Sequence, residues 1–293
     1  MLTKIGHSLS GLDQLGRNNP SGKILPQPPL LPQLPLLICT GGKLSPRRSS
    51  HTYLWVFLPG AAVHTTSVGL NGMIKAILFD LDGTLLDREA SLQRFASTQY
   101  QRFSSALQGI PKDNYISRFI ELDCRGHVWK DKVYQSLVSE FSIQKLTWQD
   151  LLRDYENQFI HSCVPFAHLR DTLDVLKAEG YLMGVITNGR GTFQTRTVQG
   201  LGIKNYFEVI LISEVEGVRK PDAEIFNRAL QKLGVTAEQS VFVGDHPTAD
   251  VWGAMSVGMK AVWFRNSYWT EPANADAIIE DLTMLPLIIQ YFE

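Results

Sequence analysis

Short apolar runs alternate with amphipathic stretches along most of the chain. The apolar runs have the length of buried strands and end at turn residues. In chain order they are IKAILF, YLMGVI, EVILIS, SVFVGD and KAVWF. The amphipathic stretches place apolar residues on one helical face and predict helices over 168–180, 222–234 and 248–258. Strands that alternate with helices predict a doubly wound α/β fold, with a parallel sheet and right-handed crossovers.

Residues 88–164 form the longest stretch between two predicted strands. The stretch is rich in aromatic residues and nearly free of glycine and proline. It predicts several helices, with breaks near 109–111, 124–126 and 142–147. Because it separates the first strand from the second, we expect a helical insertion into the sheet domain.

The first 72 residues differ in composition from the rest. They hold eight of the fourteen prolines and one acidic residue against six Lys or Arg. Proline at this density removes backbone donors and fixes φ, which prevents a long helix or a central strand. We therefore expect residues 1–72 to be a disordered, Pro-rich extension.

Three interpretations of this extension stay open. Low acidity with Ser, Thr and basic residues is typical of an organelle transit peptide. A Pro-rich linker or partner-binding arm is the second interpretation. The third is translated upstream sequence without a selected role, because MIKAILFDLDGT has the character of a protein start at Met73.

Composition narrows the range of partners. Lys+Arg is 28 and Asp+Glu is 29, so the charge does not favour nucleic acid as a partner. No run of 18 apolar residues occurs, so no membrane span is expected. Three scattered cysteines argue against a disulfide framework or a zinc site and fit a reducing compartment. We expect a cytoplasmic protein, with organelle targeting by residues 1–72 as the alternative.

Polar side chains follow the predicted strands at the edge where folds of this class bind ligands. In chain order they are Asp80 and Asp82, then Thr187 and Asn188, then Lys220, then Asp245 and Asp250. Each alone has an ordinary explanation as a turn-former or a helix cap. Their joint occurrence after different strands of one sheet predicts a functional site.

From Met73 to its end, the chain resembles the haloacid dehalogenase-like (HAD) hydrolase superfamily. DLDGT, TN, RKP and GDHPTAD match the four motifs of that superfamily in order. One departure is Ala223, where relatives often have a second proline; it lies beyond the lysine, so we expect little effect. The resemblance implies a Rossmann-like core of residues 73–87 and 165–293, a small helical cap of residues 88–164, and phosphatase activity.

The first motif carries two carboxylates, for which the resemblance implies different roles. A carboxylate can attack phosphorus and form an aspartyl-phosphate, which is the role implied for Asp80. Asp82 would protonate the leaving oxygen and then activate water. Gly83 would let the backbone turn close to the phosphate.

Mg²⁺ is the expected cofactor, because it prefers carboxylates together with substrate oxygens. Asp80 and Asp245 would supply carboxylates, and the resemblance implies the backbone carbonyl of Asp82 as a further ligand. Asp250 would lie behind them and orient Lys220 or a metal-bound water.

The transferring phosphoryl group needs donors and positive charge, which Thr187, Asn188 and Lys220 would supply. The expected substrate is a small phosphorylated metabolite, such as a sugar phosphate, a nucleoside monophosphate or phosphoglycolate. A phosphomutase and a non-catalytic phosphate-binding interaction module are the alternatives. Relatives that act as dehalogenases lack an aspartate at the position of Asp82, and ATP-driven pumps have a lysine there.

Substrate contacts are expected at the Gly-containing break in the insertion. The candidates are Arg125, His127, Trp129 and Lys130. The alternative is that Trp129 lies in the core of the insertion while Arg125 and Lys130 are solvated.

A protein that begins at Met73 is expected to fold and to retain the activity of the full chain, because residues 1–72 lack the apolar periodicity needed to join a core. Limited proteolysis of the full chain should remove this segment first and leave a resistant fragment. Circular dichroism and activity assays on both proteins check the expectation. Insolubility or loss of most activity in the shorter protein would mean that the extension is structural.

Overall fold

The computed structural model describes residues 73–272 and 274–293, so the predictions for residues 1–72 concern a segment outside the described residues. Six strands occur in the described part, and each except the last corresponds to a predicted strand. They are, in chain order, β1 (Ala76–Phe79), β2 (Leu182–Thr187), β3 (Val209–Ile212), β4 (Ser240–Gly244), β5 (Lys260–Phe264) and β6 (Ala277–Ile279). All neighbouring strands are parallel, in the spatial order β3-β2-β1-β4-β5-β6. The predicted doubly wound α/β sheet is confirmed.

Helices pack on the sheet and fill the insertion between β1 and β2. Those of the described part are α1 (Arg88–Arg102), α2 (Lys112–Asp123), α3 (Lys130–Glu140), α4 (Trp148–Gln158), α5 (Leu169–Ala178), α6 (Gly191–Leu201), α7 (Ser213–Glu216), α8 (Ala223–Leu233), α9 (Gly253–Ser256) and α10 (Leu285–Phe292). The insertion consists of α1 to α4, and its loops fall at the three predicted breaks.

The central strand contributes to two apolar cores. Ala76 and Leu78 belong to one core, while Ile77 and Phe79 belong to the other. This division follows from the alternation of side chains between the two faces of a strand. The first core is completed by α8 and α9, and the second by α5, α10 and the insertion.

The position of β1 in the sheet determines where a site can form. Phe79 at the end of β1 stands opposite Val185 of β2 on one side and Val243 of β4 on the other. The connection from β1 leads towards β2, and the connection from its other neighbour, β4, leads the opposite way towards β5. A crevice opens outside the carboxyl ends of the strands at such a point. The segments that follow β1, β2 and β4 meet at this crevice.

One buried amide joins the four helices of the insertion. Gln99 on α1 has no exposed surface. Its Oε1 accepts hydrogen bonds from the hydroxyls of Tyr115 at 2.9 Å and Tyr134 at 3.1 Å. Its Nε2 donates to the Leu151 carbonyl and to the Asp154 carboxylate, both at 3.0 Å. The amide is fully paired and connects α1 to α2, α3 and α4.

Some elements had no predicted counterpart. Helix α6 contains Thr and Gln residues that obscure its apolar face, β6 has three residues, and α10 is apolar on nearly every side. The helix predicted over 248–258 begins instead with a π-helical turn (Pro247–Trp252) before α9. In the described ranges, no helix combines the length and apolarity needed to span a bilayer.

Replacing Gln99 by alanine is expected to lower the free energy of unfolding by about 2–4 kcal/mol, because two buried tyrosine hydroxyls lose their acceptor. Gln101→Ala, at an exposed position of the same helix, is the matched control and should change stability by less than about 0.5 kcal/mol. Chemical denaturation of both variants gives the comparison. Equal stability losses would mean that the amide does not organise the insertion.

Candidate active site

Five of the side chains singled out by sequence converge at the carboxyl edge of the sheet. Asp80 follows β1, Thr187 ends β2 and Asp245 follows β4. Lys220 lies just before α8, and Asp250 lies in the π-helical turn after β4. All five are buried. The convergence predicted from their strand-end positions is therefore present.

The Lys220 ammonium lies between two of the carboxylates. Its Nζ is 2.6 Å from Asp80 Oδ1 and 2.7 Å from Asp250 Oδ1, and the side chain is 2% exposed. Asn188 fixes the backbone of this residue, since its Nδ2 donates to the Lys220 carbonyl and its Oδ1 accepts from the Lys220 N–H. The Asn188 side chain therefore positions Lys220, and because its Nδ2 carries a second proton, its predicted donation to a phosphate stays a prediction.

Asp245 is held from two sides. Asn266 Nδ2 donates to its Oδ2 at 2.9 Å, and Trp263 Nε1 donates to its carbonyl at 2.6 Å. Gly83 makes the space for this carboxylate: a Cβ at position 83 would lie 2.6 Å from Asp245 Oδ2. Gly83 also has φ +93°, a left-handed conformation that glycine adopts readily. The glycine of the first motif thus lets the first and fourth motifs approach each other.

The cluster carries more negative than positive charge. Burial raises the pKa of Asp80 well above its ordinary value; Lys220 opposes this shift, and Asp250 and Asp245 add to it. Burial and the charge of Asp250 raise the pKa of Asp245 to about 7, with Lys220 again opposing. Burial alone would lower the pKa of Lys220, but Asp250 and Asp80 outweigh it and hold that pKa above its ordinary value.

These charges fit a divalent cation. Oxygens of Asp80, Asp245 and Asp250 lie within 4.8 Å of one another. One ammonium cannot neutralise three buried carboxylates, and buried charges without partners are strongly unfavourable. Hard cations such as Mg²⁺ bind oxygen ligands of this kind. Protonation of a carboxylate is the competing way to remove the excess charge.

Asp82 stands apart from the acidic cluster. It is half-buried, and its Oδ2 accepts a hydrogen bond from Gln194 Nε2 at 2.6 Å. The same nitrogen lies 3.1 Å from the Thr187 hydroxyl oxygen. The two aspartates of the first motif therefore have different surroundings: Asp80 contacts the Lys220 ammonium, and Asp82 contacts the Gln194 amide.

A cavity of about 1380 Å³ lies between this edge of the sheet and the helical insertion. Asp80, Asp82 and Lys220 line it on the sheet side. The four candidate contact residues from the break between α2 and α3 line it on the other side; they are Arg125, His127, Trp129 and Lys130. The Gly-containing break does face the site.

Three of those four residues reach side chains of the sheet domain. Arg125 stacks 3.8 Å from the ring centre of Tyr268, and Arg190 lies 4.8 Å from that of Trp129. His127 packs edge-on against Trp269, which lies in the loop of residues 265–272. Trp129 is 62% exposed, which excludes the alternative that it lies in the core of the insertion.

The Lys130 side chain is 13% exposed and lies against a carboxylate rather than in solvent. It forms an ion pair with Asp123, which is 1% exposed and also lies 2.7 Å from an Arg88 nitrogen. Burial alone would raise the pKa of Asp123, but Lys130 and Arg88 outweigh it and hold that pKa below its ordinary value. The cavity wall beyond Asp82 thus contains two cations that share one carboxylate.

Sequence reasoning missed Gln194 and Asn266. Asn266 lies two residues after β5, so inspection of every strand end would have found it. Gln194 lies inside α6, a helix that the sequence did not predict, and no motif marks it.

Comparisons with known proteins identify relatives of this chain. The family model described as haloacid dehalogenase-like hydrolase matches residues 77–264. Glyceraldehyde 3-phosphate phosphatase from Pyrococcus furiosus is 30% identical over 234 residues, which cover 74% of this chain and 93% of that protein.

Two solved structures resemble the chain over similar lengths. An HAD phosphatase from Thermococcus onnurineus has a TM-score of 0.53 at 30% identity, and the match covers 74% of this chain and 98% of that one. A 2-haloacid dehalogenase from Pseudomonas syringae has a TM-score of 0.54 at 28% identity and covers 75% of this chain and 100% of its own.

The raised pKa of Asp245 predicts how the stabilisation of the protein by bound Mg²⁺ would depend on pH. With the pKa raised to about 7, the metal-free folded state retains a proton that the unfolded chain has lost. Without metal, the contribution of Asp245 to the free energy of unfolding is therefore present at low pH and is lost as pH rises through about 7. Mg²⁺ must displace that proton, so the gain in melting temperature over chelator should grow between about pH 5 and pH 8. Asp245→Asn should flatten this rise, and a gain independent of pH in the unsubstituted protein would contradict the expectation.

Proposed function

Because this chain belongs to the haloacid dehalogenase-like hydrolase family, we propose that it is a phosphatase that hydrolyses the phosphate ester of a small metabolite. The observation that carries the proposal is the separation of Asp80 and Asp82 into two environments at the end of β1. Asp80 faces Lys220 and the acidic cluster, whereas Asp82 lies outside the cluster on the cavity wall. The glyceraldehyde 3-phosphate phosphatase relative supports a phosphorylated metabolite as the substrate class.

In the first step, a carboxylate oxygen of Asp80 attacks phosphorus in line with the leaving oxygen. The bond from phosphorus to the leaving oxygen breaks, and Asp82 gives that oxygen its proton. The products of this step are the free alcohol and an aspartyl-phosphate on Asp80.

In the second step, Asp82 removes a proton from a water molecule that attacks the same phosphorus. The bond from phosphorus to the Asp80 oxygen then breaks. Inorganic phosphate leaves, Asp80 is again a carboxylate and Asp82 is again protonated. One carboxyl thus serves both steps.

Mg²⁺ would be held by the carboxylates of Asp80 and Asp245 and by the backbone carbonyl of Asp82. When bound, it would supply positive charge that offsets the repulsion between the phosphate and the carboxylates. Asp250 would keep Lys220 in place, which its 2.7 Å contact supports. Lys220, the Thr187 hydroxyl and the second Nδ2 proton of Asn188 would bind the transferring group, and Asn188 would also hold the Lys220 backbone.

Residues 88–164 would act as a cap that covers the reacting group and excludes bulk water. Arg125, His127, Trp129 and Lys130 would contact the remainder of the substrate.

A phosphomutase would use the same aspartyl-phosphate but return the phosphoryl group to a second hydroxyl. A non-catalytic binding module would not require the acid–base carboxyl at Asp82.

Dehalogenation is disfavoured by the same residues. A dehalogenase needs no acid for a halide leaving group, and family resemblance places no aspartate at the position of Asp82 in those enzymes. The excess negative charge around Asp80 also calls for a cation, which attack on a neutral carbon centre would not need.

Asp80→Asn is expected to abolish hydrolysis of phosphate monoesters, since an amide is a poor nucleophile and a weaker metal ligand. Asp113→Asn, which changes an exposed carboxylate of the insertion that does not line the cavity, should retain activity and serves as the matched control. Phosphate release from a panel of phosphorylated metabolites and from an aryl phosphate is the measurement. Near-normal turnover in folded Asp80→Asn protein would refute the proposed nucleophile.

Asp82→Asn should slow an alkyl phosphate more than an aryl phosphate in the first step, because only the alkyl leaving group needs a proton. The expected loss with the alkyl ester is roughly 10²–10⁴-fold. Breakdown of the phosphoenzyme should slow with both substrates, so trapped intermediate should accumulate. Single-turnover kinetics would contradict this role if both esters showed equal, small losses and the intermediate lifetime stayed the same.

A further inference from the structure

We propose that Gln194 is a positioning residue for Asp82: its side-chain amide fixes the acid–base carboxyl against Thr187 and so sets where that carboxyl points. The inference rests on the phosphatase function proposed above. It assigns a role to a residue of α6 that belongs to none of the four sequence motifs.

The contacts of the amide nitrogen carry this assignment. Gln194 is 3% exposed, and its Nε2 lies 2.6 Å from Asp82 Oδ2 and 3.1 Å from Thr187 Oγ1. An amide nitrogen has two protons, so one can go to each oxygen. Hydrogen bonds to an ionised acceptor are among the stronger ones in proteins. The nitrogen therefore bridges the first and second motifs.

The other end of the amide argues against a merely structural role. Gln194 Oε1 is buried and has no hydrogen-bond partner among the described residues. A buried polar atom without a partner is unfavourable, and an apolar side chain of the same shape would avoid it. Packing alone therefore does not account for a glutamine here, whereas its contact with Asp82 does.

Gly189, which directly follows the second motif, makes room for this contact. A Cβ at Gly189 would lie 2.5 Å from Gln194 Nε2. A larger residue at position 189 would push the amide away from Asp82 and Thr187. Gly189, which otherwise has the ordinary character of a turn residue, thus belongs to the same arrangement.

Fixing Asp82 matters because its carboxyl acts twice on nearly the same point in space. It first meets the leaving oxygen and then the attacking water. A half-buried aspartate can rotate about its side-chain bonds, and small misplacements of a reacting group slow reactions substantially. A single fixed partner holds the carboxyl at one place for both steps.

Gln194→Met tests the inference, because methionine has a similar length and cannot donate. The expected result is a fall in kcat of about 10–100-fold with an alkyl phosphate, a smaller fall in the first step with an aryl phosphate, and little change in KM. Thr197→Val is the matched control: Thr197 is 1% exposed on the same helix, donates to a backbone carbonyl one turn earlier and does not line the cavity. This control should leave the ratio of the first-step rates with the alkyl and the aryl phosphate, called here the alkyl-to-aryl ratio, as it is in the unsubstituted protein.

A double-mutant cycle separates positioning from general damage. In the Asp82→Asn background, Gln194→Met should cause no further change in the alkyl-to-aryl ratio, since the carboxyl that it positions is gone. Equal factors in both backgrounds, or an unchanged ratio in the single variant, would overturn the inference. If Gln194→Met does not fold, Gln194→Asn provides the same cycle, because its amide is one carbon shorter.

The outcomes also distinguish this inference from the proposed function. If the unsubstituted protein hydrolyses phosphate esters and the ratio does not respond to Gln194, only the role of Gln194 is wrong. If the unsubstituted protein hydrolyses no phosphate ester, the phosphatase function fails and this inference fails with it.

Discussion

The ammonium of Lys220 is the interaction on which the rest of the site depends. It lies buried between Asp80 and Asp250, which follow different strands of the sheet. Buried carboxylates repel one another, and without a cation between them the loops after β1 and β4 could not approach so closely. The Asn188 side chain anchors the lysine backbone, so the loop after β2 belongs to the same assembly. Even so, one ammonium leaves excess negative charge, which the proposed Mg²⁺ would neutralise.

The surroundings of the two aspartates in DLDGT differ, which supports the different roles proposed for them. Two carboxyls two residues apart begin with the same chemistry, so any difference between them must come from their neighbours. Asp80 is buried against Lys220 and close to Asp245 and Asp250. Asp82 faces the cavity and an amide. A nucleophile needs a fixed position beside positive charge, and an acid–base group needs access to the leaving oxygen and to water. The fold provides each of these environments one strand pleat apart.

Much of this could be predicted from the sequence, because parallel strands bring their carboxyl ends to one edge whatever the details of packing. That rule alone places Asp80, Thr187 and Asp245 together. The rule does not tell what each side chain contacts. The Asn188 amide bonds to the Lys220 backbone, and Gln194 reaches Asp82 from inside a helix with few apolar residues on its buried face. Contacts of this kind depend on tertiary distances of a few ångströms, which no spacing along the chain encodes.

The covalent role of Asp80 is the central claim, and the stereochemistry at phosphorus tests it most directly. The full-length protein can turn over a phosphate ester made chiral with three oxygen isotopes in the presence of an added acceptor alcohol. The alcohol takes the phosphoryl group in place of water, so that the configuration of the product ester is readable. Attack by Asp80 followed by attack on the aspartyl-phosphate makes two in-line displacements, so the account predicts overall retention of configuration. Inversion would mean a single direct displacement and would contradict an aspartyl-phosphate on Asp80.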